Sequence, residues 1–307
     1  MITAKELNLV ERTLGQALSS DIGLLRSASS HVIRSGGKRL RPTVVLLSYQ
    51  AVGGQDISQA VPLAAAVELL HTASLVHDDI NDQSNLRRGQ ATVNAQWGDG
   101  LALLVGDFIF VRLLQLIAGF APRAIRVLAD CCTSIVEGET LQMLHLRDLS
   151  LTEETYLKIV TRKTADLFST CSELGAFLGG GSEEVIQALK EYGLYLGIAF
   201  QMRDDALDWV GTQADLGKPI ANDLQQGKMS LSTIYALRQS DRAKDVLFGS
   251  DRSRALHLLQ EVGALDYAIL KCQEYSEKAQ ASLAVLEKSE PKTELLKLAE
   301  YVVLRDR

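Results

Sequence analysis

The stretch LAAAVELLHTASLVHDDIND, residues 63–82, contains neither Pro nor Gly and runs through Ala, Leu and Val to an acidic end, Asp78-Asp79-Ile80-Asn81-Asp82. It reads as one continuous helix, because Ala and Leu lose little side-chain freedom in helical geometry. At helical spacing the first and last Asp of that end lie one turn apart on a single face. Like charges so placed repel, and a strongly cationic group between them removes the conflict. Hard divalent cations with oxygen ligands fit best, Mg²⁺ first among them, since it is held by a few carboxylates completed by waters and substrate phosphates.

The same signature recurs as Asp204-Asp205-Ala206-Leu207-Asp208, closing a second helical pattern at residues 185–210. A solvated acidic helix face is the plain alternative for either copy alone. Two copies in apolar surroundings point instead to a diphosphate-binding metal site, for which the two segments must meet. No Pro/Ser/Gly-rich linker divides the chain, so residues 1–307 read as a single domain.

Composition supports helices throughout. Hydrophobic residues make up 47% and charged residues 23% of the 307, proportions that allow a large buried core. Only five Pro and 6% aromatics, with abundant Leu and Ala, favour helix over strand, so the expected fold is all-α. The net charge of −6 argues against a nucleic-acid partner, which would need a cationic surface. Cys131, Cys132, Cys171 and Cys272 have no metal-ligand spacing and suit a reducing cytoplasm. The first ten residues lack a signal peptide's apolar core. The most apolar region, residues 101–121, is broken by Asp107 and Arg112, so no integral membrane segment is expected.

Punctuation along the chain follows. Residues 1–35 read as helix leading to a loop at Ser35-Gly36-Gly37, after which Pro42 opens the next helix. Gly98 and Gly100 mark a break. Thr152-Glu153-Glu154 and Ser182-Glu183-Glu184 read as N-caps with acidic first turns, and Gly179-Gly180-Gly181 as a helix connection. Gly193 and Gly197 mark close packing against a neighbour, and Leu295, Leu298, Ala299 and Val302 an amphipathic last helix.

Three basic clusters accompany the acidic signatures. Lys38, Arg39 and Arg41 flank a Gly pair and can clamp a diphosphate without metal, Arg as a fork and Lys as a point charge; a solvated basic turn is the alternative. Arg87-Arg88-Gly89 follows the first signature, within reach of phosphate or simply countering a helix end. Gly217-Lys218-Pro219, Asn222-Asp223-Leu224 and Gly227-Lys228 follow the second, with phosphate-neutralising lysines or as a surface loop.

Together these residues resemble the trans-isoprenyl diphosphate synthases of the polyprenyl synthetase family. The resemblance runs from residue 36 to the end and includes Gly36-Gly37-Lys38-Arg39-Leu40-Arg41-Pro42, His71, the two Asp-rich signatures, Arg87-Arg88-Gly89, Gly106-Asp107, Glu137-Gly138-Glu139 with Gln142, Lys163-Thr164-Ala165 and Phe200-Gln201. It implies one large helical bundle of the isoprenoid synthase type with a central active-site cavity. It also implies head-to-tail condensation of isopentenyl diphosphate onto an allylic diphosphate by ionisation, condensation and proton elimination. On that pattern Lys38, Arg41, His71 and Arg88 hold isopentenyl diphosphate. Asp78, Asp79, Asp82, Asp204, Asp205 and Asp208 hold Mg²⁺ on the allylic diphosphate, helped by Arg87, Lys163, Lys218 and Lys228, and Thr164 and Gln201 line the reacting centre. A homodimer is implied as well. Ser232 and Ala221 depart from a common Pro and a common Gly of the family, changes expected to tune loop shape.

The helix bearing the first signature is also expected to wall a tunnel for the growing chain. Ala73 and Ser74, one turn upstream, are small where short-chain enzymes of the family often place an aromatic floor. Leu70, Val67 and an opposing helix around Leu104 and Phe108 would form any deeper floor. The expected product is longer than farnesyl, with geranylgeranyl as the runner-up. A terpene cyclase would not need the cluster at 36–42, a non-catalytic subunit of a heteromeric prenyltransferase would commonly lose an acidic signature, and five His give a metal phosphohydrolase no evident ligand set.

Overall fold

The structure, a computed structural model, describes residues 2–34, 36–210 and 222–305. Helices dominate, in the order α1 (Ala4–Ala17), α2 (Gly23–Arg34), α3 (Leu40–Ala51), α4 (Val61–Asn81), α5 (Val93–Trp97), α6 (Asp99–Ile117), α7 (Pro122–Leu144), α8 (Glu153–Val160), α9 (Asp166–Leu178) and α10 (Glu183–Val210). After the undescribed residues come α11 (Asn222–Gln225), α12 (Leu231–Gln239), α13 (Ala243–Leu247), α14 (Arg252–Glu261), α15 (Ala264–Ser282) and α16 (Glu290–Leu304). The one sheet among the described residues is a hairpin of β1 (Leu86–Arg87) and β2 (Gln90–Ala91).

The chain divides into two compact units, each built from discontinuous segments. One comprises Met1–Asp130, Thr170–Lys190 and Val285–Leu295; the other comprises Cys131–Ser169, Glu191–Ala284 and Leu296–Arg307.

In the first unit α4 is the core helix, packed on α1, α3 and α6. Leu63, Val67, Leu69, Leu70 and Val76 are all at most 4% exposed, each worth about 1.5–3 kcal/mol relative to exposure. Where α4 meets α6 the helices come close at Gly106, at which a Cβ would lie 2.2 Å from His77 Nε2. That contact explains a glycine inside a long apolar helix. α6 turns Ala102, Val105, Gly106, Ile109 and Leu113 inward, whereas Leu104 is 59% exposed. Of the two residues expected to form a deeper floor, Leu104 points outward and Phe108 is half-buried, while Val105 and Ile109, one position along, face inward, because a single position rotates a helical side chain by about 100°.

In the second unit the later part of α10 packs against the α8–α9 segment. A Cβ at Gly197 would stand 2.5 Å from Ala165 Cα, so the close packing expected there is present. Between α8 and α9, residues Thr161–Ala165 form one π turn. α15 ties in through Cys272 Sγ, which donates to Ala199 O at 3.2 Å, and Ser276 Oγ, which donates to Ala299 O at 2.9 Å.

Two expectations about elements change. Where one helix is expected before the Gly pair there are two, α1 and α2, broken between Leu18 and Ile22; Ser20 Oγ accepts from Ile22 N at 3.2 Å, a local bond that competes with helix continuation. The segment after the first acidic signature is the hairpin, a strand pair within an otherwise helical fold. Thr152 and Ser182 cap as expected, accepting from Thr155 N and Val185 N.

Candidate active site

The first unit holds a cleft of about 510 Å³, along which α4 presents Glu68, His71, Thr72, Leu75, Val76 and Asp79. The spacing of these residues is that of one helical face. The hairpin adds Arg87 and Arg88. Its turn residues, Arg88 at φ 52° and Gly89 at φ 75°, are both left-handed, as a two-residue turn of this kind requires. A left-handed Arg is strained, and what holds it is the anchoring of the hairpin: Asn94 Nδ2 donates to Ser84 O at 3.1 Å and Thr92 Oγ1 to the same oxygen at 2.6 Å.

Charge in this cleft is crowded. Arg87 donates to Asp79 Oδ1 through Nε at 2.8 Å and NH2 at 2.7 Å. Arg39, also left-handed at φ 49°, is bound by Glu11 at 2.5 Å and Glu68 at 2.7 Å, so it anchors the loop instead of offering itself to a ligand. Burial pulls the Arg88 guanidinium down, opposed by Glu68 and reinforced by Arg87, Arg39 and Arg41. The His71 imidazole is pushed well below its ordinary range by burial and then by Arg41, Arg88, Arg87 and Arg39. His71 is therefore a neutral donor among guanidiniums. Arg39, Arg87 and Arg88 outnumber Glu68 and Asp79 on this lining, which gives the cleft a positive balance in a chain of net charge −6. Arg41 is buried at the edge of this cluster, and Lys38 is exposed in the loop before α3; neither lines the cleft itself.

The second unit holds a cleft of about 690 Å³, with Lys163, Thr164, Gln201, Asp205, Asp223 and Lys228 among its polar lining and Leu151, Ile159, Val160 and Met229 among its apolar lining. Lys163 and Thr164 lie in the π turn, a device that recurs at functional sites because it re-aims side chains out of a regular helix. Across from them Gly138 of α7 leaves no room for a Cβ, which would sit 2.5 Å from Lys163 N. Its neighbours then grip the turn: Glu139 pairs with Lys163, Gln142 Oε1 accepts from Lys163 Nζ at 2.7 Å, and Glu137 takes Arg162 at 2.9 Å. Thr164 Oγ1 donates to Gln201 Oε1 at 2.9 Å, and Gln201 Nε2 donates to Asp205 Oδ1 at 2.8 Å. Tyr156 O–H completes the chain on Asp205 Oδ2 at 2.7 Å. Burial pushes the Asp205 carboxyl up to about 7, with Asp223 and Asp204 raising it and Gln201 and Tyr156 opposing.

The six aspartates thus stand in different settings. Asp78 and Asp82 are half-buried at the end of α4, one turn apart, while Asp79 between them is buried against Arg87. Asp204 pairs with Arg305 at 2.6 Å, Asp205 with Tyr156 and Gln201, and the buried Asp208 accepts from Asp223 N at 3.1 Å. Among the described residues no group of three His, Cys, Asp or Glu stands assembled for a metal ion. Carboxylates one turn apart, to be completed by waters and substrate phosphate, are the donor set that Mg²⁺ takes in preference to an all-protein cage.

Lys218 and Ala221 lie outside the described residues. Ala73, Ser74 and Leu70 line neither cleft; Ala73 and Leu70 are buried at 3% and 4% exposure. Ser232 lies inside α12, not in a loop. Tyr156 and Arg305 hold aspartates of the second signature without any sequence motif marking them, since Asp205 and Asp204 are distant along the chain, whereas Asp223 falls in the marked segment Asn222-Asp223-Leu224.

This arrangement, an all-α fold with a cationic cleft, two aspartate-rich helix ends and a Lys-Thr π turn, defines an enzyme of the isoprenoid synthase type. The chain belongs to the polyprenyl synthetase family, whose profile matches residues 23–258. It is 38% identical to a short chain isoprenyl diphosphate synthase of Methanothermobacter thermautotrophicus, over 92% of this chain and 90% of that one. It is 34% identical to the octaprenyl diphosphate synthase of Escherichia coli, over 100% and 98%. A polyprenyl synthase of Caulobacter crescentus, solved with calcium and isoprenyl diphosphate, superposes with a TM-score of 0.93 at 36% identity, covering 99% of this chain and 95% of that one.

Proposed function

We propose that this chain condenses isopentenyl diphosphate head-to-tail onto an allylic diphosphate and releases an all-trans polyprenyl diphosphate longer than farnesyl. The observation that carries the reading is the arginine-rich cleft of the first unit, in which Arg88 and a neutral His71 stand beside a single signature carboxylate, Asp79, already engaged by Arg87. One diphosphate is served by guanidiniums and a neutral imidazole, the other by carboxylates that need a metal. A cyclase, with one diphosphate to hold, would leave the first set without a task. Similarity to an octaprenyl synthase across the whole chain supports the longer product. The family match draws on segments of both units, so we take the whole chain as one functional domain.

In this scheme Arg88 and His71, with Arg41 and Lys38 beside them, fix isopentenyl diphosphate so that its double bond is held in an attacking position. Asp78, Asp79, Asp82, Asp204, Asp205 and Asp208 are the carboxylates that would hold Mg²⁺, with Asp79 fixed by Arg87, Asp205 by Tyr156 and Gln201, and Asp208 by the Asp223 N–H. When bound, Mg²⁺ stabilises the negative charge that grows on the allylic diphosphate as its C–O bond breaks. Lys163 and Lys228 add preorganised charge to the same departing group, interactions stronger in the transition state than before it. Thr164 and Gln201 face the developing cation with oxygen dipoles. Leu151, Ile159, Val160 and Met229 keep water from quenching it. The proton lost after condensation passes to the departing diphosphate, so no side-chain base is invoked.

We further infer a homodimer. α6 is long and apolar enough to cross a membrane, yet only a third of its most apolar window is buried, and Leu103, Leu104, Val111 and Leu114 stand 46–59% exposed. Such a face calls for a partner surface, and a second copy of the chain supplies one. All four cysteines are free, three of them buried, which suits the reducing cytoplasm we assign.

The test is incubation of the purified chain with labelled isopentenyl diphosphate, farnesyl diphosphate and Mg²⁺, followed by product-length analysis. Elongation past geranylgeranyl is expected. A product stopping at geranylgeranyl would select the runner-up, and a folded protein active only with a second polypeptide would make it a subunit of a heteromeric enzyme.

A further inference from the structure

Arg305 follows α16, and the reaction scheme gives it no task. Its side chain is only 4% exposed. The guanidinium lies over the Phe200 ring, 4.0 Å from its centroid, and NH2 donates both to Phe200 O at 2.8 Å and to Asp204 Oδ1 at 2.6 Å. The Arg305 carbonyl in turn accepts from Arg203 Nε at 3.0 Å and NH2 at 2.8 Å. The segment is therefore fastened to α10 by two guanidiniums, its own and that of Arg203.

Burying a guanidinium is costly, and an apolar residue of similar size would anchor the segment to α10 at least as well. What an apolar residue could not do is hold Asp204. The other two aspartates of this signature have their own holders, Tyr156 and Gln201 for Asp205 and the Asp223 N–H for Asp208. Asp204 is 41% exposed, the most open of the three, and Arg305 is a side-chain partner of it. A carboxylate has about four acceptor sites, so one bond from Arg305 does not exhaust it.

We propose that Arg305 is a positioning residue for the metal-binding carboxylate of Asp204, fixing its orientation on α10. The proposal rests on the synthase reading above. It places Arg305 one step removed from the metal, where partners of a ligand commonly change metal affinity by about 10- to 100-fold.

The experiment measures Mn²⁺ binding by electron paramagnetic resonance in the presence of inorganic diphosphate, together with the Mg²⁺ dependence of elongation. Arg305→Gln is expected to weaken Mn²⁺ binding about 10-fold or more and to raise the Mg²⁺ needed for half-maximal elongation in step, with the KM for isopentenyl diphosphate unchanged. Arg305→Lys should recover part of the loss, since Lys returns the charge without the fork. In an Asp204→Asn background, Arg305→Gln should add no further loss. Unaltered Mn²⁺ binding and Mg²⁺ dependence in folded Arg305→Gln would overturn the assignment and leave Arg305 a packing anchor, as would a fully additive loss with Asp204→Asn. Should Arg305→Gln not fold, Phe200→Leu removes the platform beneath the guanidinium and is judged by the same two readouts. Wild-type protein that elongates nothing at any Mg²⁺ concentration would overturn the synthase reading, independently of the variants.

Discussion

The middle aspartate of each acidic signature is committed to protein partners, Asp79 to Arg87 and Asp205 to Tyr156 and Gln201. The consequence for Asp205 can be tested by titration. Its folded-state pKa of about 7 lies above the ordinary 3.8, so its cost to stability is complete above pH 7 and is relieved as pH falls toward 3.8. His71 works the other way. Its folded-state pKa lies well below 6.5, so its contribution is complete above pH 6.5 and declines as the unfolded chain gains protons below it. Between these limits each group has a limiting slope of about 1.4 kcal/mol per pH unit, of opposite sign. Asp148, lowered to about 2, keeps its contribution throughout this window. In EDTA the wild-type protein should hold a nearly level stability from pH 6.5 to 5 by urea unfolding, while Asp205→Asn should lose stability on acidification. Parallel curves would mean that Asp205 is not protonated in the folded state. None of this was legible in the sequence. The spacing of the two signatures shows which carboxylates share a helix face, but Tyr156 and Arg305 are far from Asp205 and Asp204 along the chain, and only the packing of α8 and α16 on α10 selects them.

At the scale of elements, helices announced by local rules were legible. The Thr152 and Ser182 caps, the breaks at Gly98 and Gly180 and the close contact at Gly197 each follow from one or two residues, and the structure has all of them. The π turn at 161–165 was not, because it depends on Gly138 of another helix meeting the Lys163 backbone. The hairpin was missed for a related reason: Arg88-Gly89 adopts a turn usually marked by Asn-Gly, and its strands are two residues long. Rotation about a helix axis is the weakest inference of this kind, as the outward Leu104 shows. It bears on α4, where Ala73 is buried on a face other than that lining the cationic cleft. If this face borders the growing chain, Ala73→Tyr should shorten the product by at least one isoprene unit in radio-thin-layer chromatography, each unit of about 5 Å corresponding to roughly one turn of wall. An unchanged product distribution from a folded variant would remove Ala73 from the chain-length assignment.

At the scale of the whole molecule, the described residues leave an apolar stripe of α6 uncovered. α6 buries the stripe containing Ala102, Val105, Ile109 and Leu113 and exposes a second at Leu103, Leu104, Val111 and Leu114. A helix with two apolar faces belongs between two layers, and the described chain provides one of them. A second copy would bury Leu104 and Val111 at a symmetric interface, each worth about 1.5–3 kcal/mol when fully covered. Charges placed there would have to be stripped of water on association, at a cost of several kcal/mol per ion. The wild-type protein should therefore sediment as a dimer and Leu104→Glu/Val111→Glu as a monomer, with the helical content of the two alike by far-ultraviolet circular dichroism, because neither residue faces α4. A wild-type monomer would remove the dimer altogether. A variant that stayed dimeric would move the interface to another face and leave the exposed stripe of α6 without an occupant.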